Sequence, residues 1–243
     1  MRRVRLLDGD MVLLGGRFPR AAVLVAGLTL ILSVLGAVAQ RSGVPLLTLG
    51  VLTPALLLVG QLWRAVTWPF FEPTFLPLVF GVLIILFIGR DLVHAWGSWG
   101  FLRAYLGTAL GAALVTLLLG LVAAPVLVTS YAGPWAVVDA LIIAWAALYP
   151  SRQILVYFVV PVGGRNLILL TVGGTALLAL LDGPAFYVPH FAAEALALAW
   201  VYGYTPRTLW LRLKLRGLRF TPTRRPSHLR PVERGEEPPR WLH

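Results

Sequence analysis

Residues 21–40 carry no charged side chain. At about 1.5 Å of rise per residue, a helix over them is about 30 Å long, the thickness of a bilayer's hydrocarbon core. Such a run can bury itself only in lipid or among others like it. Further apolar runs follow at 74–89, 101–126, 134–149, 167–181 and 189–204. Composition agrees: 58% of residues are hydrophobic and 13% charged, against about 45–50% and about 25% in soluble domains. The mean hydropathy is +0.82. The chain therefore reads as an all-α integral membrane protein with six spans. A cleaved leader is a poorer reading of the first run, which exceeds the roughly 7–15 residues of a signal core.

The charges give the spans a direction. Net charge is +11, and arginines sit before the first span, at Arg90, Arg103, Arg152 and Arg165, and throughout the tail. In a six-span arrangement these fall on one side, leaving Arg41 and Arg64 on the other. Lys and Arg stay cytoplasmic, so both termini are expected there, at the inner membrane if the chain is bacterial. Membrane topology accounts for the basic pI of 11.2 better than nucleic acid, which is not expected as a partner. Three segments follow: a basic lead (1–20), a membrane domain (21–204) and a Pro-rich basic tail (205–243) suited to an anionic leaflet. Absence of cysteine excludes disulfides, thiolate nucleophiles and the common zinc sites. No cofactor or metal is expected.

Between the first two spans, Pro45, Pro54 and Pro69 break an apolar stretch into an interfacial loop, L1, in which Trp63, Trp68 and Arg64 suit the headgroup belt. Arg90 to Ser98 reads as a short polar turn. The stretch 154–162, interrupted by Pro161, reads as a re-entrant or interfacial element. Gly107 and Gly111, four apart, place two small residues on one helix face for close contact.

Residues 130–150 carry the least expected feature. A helix that opens at Gly133-Pro134 and ends at Tyr149-Pro150 holds Asp139 near its middle, and a carboxylate at that depth is costly enough to mark a site. The competing reading is an acid satisfied by neighbouring polar side chains. His190 and Glu194 stand four apart on the last span, on one face.

Together, Gln61-Leu62-Trp63-Arg64, Gly89-Arg90-Asp91-Leu92, Trp96-Gly97-Ser98, Phe101-Leu102 with Tyr105-Leu106, and His190 opening the last helix resemble the rhomboid family. The resemblance spans about 21–204. It implies a six-helix intramembrane serine protease fold, shared by protease-dead relatives such as derlins and iRhoms. It also implies a serine opening helix four, a histidine opening helix six and oxyanion donors on helix two. Here Pro134 replaces the serine, His190 is retained, and Pro77 and Gly81 stand at the oxyanion positions. Proline offers neither hydroxyl nor N–H, and losing one oxyanion donor alone costs about 10²–10³ in rate.

Three functions remain in view. The first is a pseudoprotease that binds transmembrane segments of client proteins within the lipid bilayer. The second is an active endopeptidase using a non-standard nucleophile, Ser130, with His190. The third is a proton-linked transporter or channel using Asp139, His190 and Glu194. One geometric expectation accompanies them. Asp139 lies about 7.5 Å below Pro134, and Glu194 about 6 Å below His190, so the two acids face each other at similar depth unless the roughly 500° of helix turn carries Asp139 aside.

Overall fold

The structure, a computed structural model, describes residues 7, 9–13, 15–156 and 160–201. The tail at 205–243, the last residues of the sixth predicted span and residues 1–6, 8 and 14 of the basic lead lie outside the described residues. Among those described, the chain is mostly helical.

The end of the basic lead forms an antiparallel hairpin, β1 (Asp10–Leu13) and β2 (Gly16–Pro19). Pro19 is extended, and α1 (Arg20–Arg41) starts directly after it. Its buried face is Ala22, Ala26, Thr29, Ser33 and Gly36, small residues at helical spacing. Their two hydroxyls are satisfied at once: Thr29 donates to the Val25 carbonyl at 2.9 Å and Ser33 to the Phe70 carbonyl at 3.1 Å.

L1 folds into three short helices, α2 (Leu46–Gly50), α3 (Pro54–Leu58) and α4 (Arg64–Thr67). Here the expectation for Arg64 and Trp68 is corrected. Arg64 is 3% exposed and Trp68 1%, so neither reaches the headgroups. Short helices leave carbonyls without partners, and the guanidinium satisfies those of Thr48 (2.6 Å) and Val51 (2.7 Å) while bonding Gln61 Oε1 at 2.7 Å. Trp63 remains half-exposed and donates to the Leu49 carbonyl.

The helix α5 (Phe75–Gly120) is 46 residues long, but Gly97 inside it has φ 73° and ψ 165°. That conformation suits glycine and breaks the helix, so α5 is two arms, 75–96 and 98–120. They fold back on each other, because a Cβ on Gly89 would lie 3.2 Å from the Phe101 ring, whereas 12 residues of straight helix span about 18 Å. The polar stretch from Arg90 to Trp96 is therefore helical, and the expected turn is confined to Gly97. After α6 (Ala124–Val128) comes α7 (Trp135–Leu148), with Pro134 as its N-cap.

The expected re-entrant or interfacial element is a hairpin, β3 (Gln153–Val156) and β4 (Val160–Gly163). Pro161 disfavours a helix there, and paired strands satisfy the backbone. Two helices complete the described chain, α8 (Gly164–Asp182) and α9 (Val188–Val201).

By length and composition, three helices among the described residues suffice to cross a membrane: α1, α5 and α8. The close-contact expectation divides. A Cβ on Gly111 would meet Leu196 of α9 at 2.7 Å, while Gly107 faces nothing within 4 Å.

Candidate functional site

Three loops meet at one end of the bundle. Leu52 of L1 and Tyr131 exchange backbone hydrogen bonds at 2.9 and 2.7 Å, and Gly133 N–H donates to the Trp68 carbonyl at 3.2 Å. The Tyr131 hydroxyl donates to the Ala185 carbonyl, before α9, at 2.7 Å. Burial pushes that phenol up to about 12, so it stays a donor. Between these segments opens a cleft of about 230 Å³ lined by Trp68, Ser130, Tyr131, Phe186, Tyr187 and His190.

On the α9 side the cleft is polar. His190 Nδ1 lies 2.7 Å from Asp139 Oδ2 of α7, with side chains 23% and 14% exposed. The imidazole ring also contacts that of Tyr187, centroids 5.4 Å apart. One turn deeper, Glu194 is 2% exposed and accepts a hydrogen bond from Thr175 of α8 at 2.6 Å. Asp139 and Glu194 lie near enough to feel each other's charge, but each takes its hydrogen bond from another residue. The five residues from Pro134 carry Asp139 around the helix to His190, and Glu194 turns to the neighbouring helix. Sequence reasoning missed Thr175, which sits among leucines with no pattern to mark it.

On the α5 side the same end is closed. Pro134 is buried, and a Cβ on Gly81 would lie 2.9 Å from its Cγ. Gly81 therefore lets the proline ring fill the space where a polar side chain of α5 would stand. Pro77, one turn earlier, is half-buried and offers no donor. The indole N–H of Trp135, beside Pro134, is buried with no partner among the described residues. Gly133 has φ 87°, and a Cβ there would collide with the Glu72 carboxyl. Glu72 is 6% exposed and accepts hydrogen bonds from the Thr74 backbone and hydroxyl. Its backbone N–H donates to Ser33 Oγ at 2.8 Å. Burial holds its carboxyl above the ordinary value, against the pull of the Thr74 hydrogen bonds.

Ser130 lines the cleft with His190, but its hydroxyl is 2.8 Å from that of Thr53. No hydrogen bond joins Ser130 to His190 among the described residues. Thr53 was not foreseen; only the bridge between Leu52 and Tyr131 brings it to residue 130. The arrangement provides an oriented imidazole, a hydroxyl pair and an aromatic wall, and no cluster among the described residues is built to hold a metal.

No protein of curated function matches the chain. Residues 20–206 match the family described as eukaryotic integral membrane protein (DUF1751). The match covers α1 through α9, so this chain is an integral membrane protein and belongs to that family.

Proposed function

We propose that this protein is a rhomboid-like, non-enzymatic membrane protein of six spans with both termini cytoplasmic, which holds transmembrane segments of client proteins. The spans in this reading are α1, the two arms of α5, α7, α8 and α9. The observation that carries it is the contact of Pro134 with Gly81. In the resemblance, these are the nucleophile and an oxyanion position, and here the proline ring fills the space a polar side chain at residue 81 would need. Hydrolysis through a tetrahedral intermediate needs a hydroxyl and preorganised donors, and this contact supplies neither. Supporting the orientation, the exposed Arg17, Arg90, Arg103, Arg152 and Arg165 all lie at the end away from the cleft. The tail at 205–243 is a separate basic segment in the same reading.

The test uses purified protein in bilayer nanodiscs with a defined single-span peptide, labelled at both ends. The account expects energy transfer from the protein to the intact peptide, competed by unlabelled peptide, and no cleavage. Absence of saturable association would remove the holding role.

A second reading, an endopeptidase using Ser130, draws on the pairing of Asp139 with His190 and on Ser130 lining the same cleft. Cleavage lost in both Ser130→Ala and His190→Ala would select it.

A further inference from the structure

Opposite the cleft, two arginines meet at the junction between α7 and α8. Asp91 of the first α5 arm accepts hydrogen bonds from Trp145 Nε1 (2.9 Å) and Arg152 Nη1 (3.1 Å). The Arg152 guanidinium lies over the Tyr149 ring, 4.5 Å from its centroid. Gly164 N–H donates to the Arg152 carbonyl at 3.2 Å, which brings Arg165, the next residue, beside it. This junction is rigid: a Cβ on Gly164 would lie 2.6 Å from the Ala146 carbonyl oxygen. Arg165 is exposed, and its guanidinium makes no hydrogen bond or ion pair among the described residues. Among these, Arg152 alone pairs with Asp91 and is pre-positioned by that acid and by the tyrosine face.

Leu148 (44% exposed) closes α7 ahead of Arg152, and Leu169 (68%) stands one helical turn beyond Arg165 on α8. On α8 the lane continues through Gly173, which meets nothing within 4 Å, to the exposed Leu177. Cationic heads over apolar lanes match an amphiphile with an anionic head and acyl chains. A soluble phosphate would use the arginines and leave the lanes idle.

We infer that the seam formed by Arg152 and Arg165 binds the phosphate headgroup of an anionic phospholipid, whose chains lie along Leu148 and Leu169. Basic pockets between spanning helices recognise lipid headgroups in this way, at about 1 kcal/mol per arginine near the surface, or about fivefold in affinity.

The test is native mass spectrometry of the full chain in detergent, titrated with dioleoyl phosphatidylserine or dioleoyl phosphatidylcholine. The wild type is expected to retain the anionic lipid preferentially. Arg152→Gln and Arg165→Gln should each weaken that retention about fivefold, while Arg41→Gln, at the opposite end, leaves it unchanged. Tyr149→Leu, which alters no charge, should also weaken it, with folding checked by thermal stability. Soluble glycerophosphoserine should not compete at equal concentration. Equal losses in Arg41→Gln and Arg152→Gln, or unaltered binding in a folded Tyr149→Leu, would show only a response to net charge and overturn the site. Full competition by the soluble headgroup would overturn the lipid assignment.

Discussion

The first turn of α7 meets α5 and α9 in opposite ways. Toward α5 the contact is dry and steric: a proline ring on a glycine, with no hydrogen bond across it. Toward α9 it is polar: Asp139 holds His190, and Glu194 below it holds Thr175. The difference separates two reasons for polar groups inside a membrane bundle. In the proposed non-enzymatic reading, a side chain kept only for chemistry is free to be lost, and Pro77, Gly81 and Pro134 fit that description. One whose removal strands a buried partner is constrained by the fold itself. His190 and Asp139 belong to the second kind.

The strongest attack on this contrast is at Gly133, which joins the two sides. Gly133→Ala forces a side chain into both a left-handed backbone and the Glu72 carboxyl, and should destabilise the protein by about 3 kcal/mol. Thermal unfolding in detergent measures it, and a loss under about 1 kcal/mol would mean that the loop relaxes freely.

On the polar side, Asp139→Leu leaves the His190 imidazole without its buried partner and should cost about 1–3 kcal/mol, whereas Asp139→Asn keeps an oxygen acceptor and should cost less than half of that. Equal stabilities of the two variants would break the polar half of the comparison.

The steric side calls for a cycle. Gly81→Ala drives a methyl into the Pro134 ring and should cost about 1–2 kcal/mol. Adding Pro134→Ala should recover most of that loss, because the ring is what the methyl meets. Purely additive effects would show that the two residues do not share the space.

The smallest effect concerns Glu72. Its carboxyl is held above its ordinary value of 4.5 by burial, so the folded state favours the neutral acid. The stability this confers is complete below 4.5, declines as pH rises toward the raised folded value, and is constant beyond it. Glu72→Gln removes the titration. Measured from pH 4 to pH 7, the glutamine variant should gain stability relative to the wild type as the pH rises. A constant difference across that range would contradict the assignment.

The spans were legible in the sequence wherever apolar length sufficed, as in residues 21–40. The position of the α7 start followed from Pro134, whose missing N–H suits a helix end. What escaped was set by rotation and by distant loops. Whether Asp139 turns to His190 or to Glu194 depends on how α7 is rotated against α9, which spacing along one helix does not fix. Arg64 looked like a surface cation because its partners are backbone carbonyls, and any sequence supplies those. The hairpin at 153–163 was hidden by the apolar run it shares with a membrane element. Thr53 reaches Ser130 across 77 residues, a separation over which local pattern carries no information.

Labelling with a fluorophosphonate in bilayer nanodiscs, read by intact mass, tests the central claim most directly. A hydroxyl held by Thr53 and not by His190 should form no adduct in the wild type beyond that in Ser130→Ala and His190→Ala. A stoichiometric adduct on the wild-type chain, lost in both variants, would show an activated serine and contradict the account.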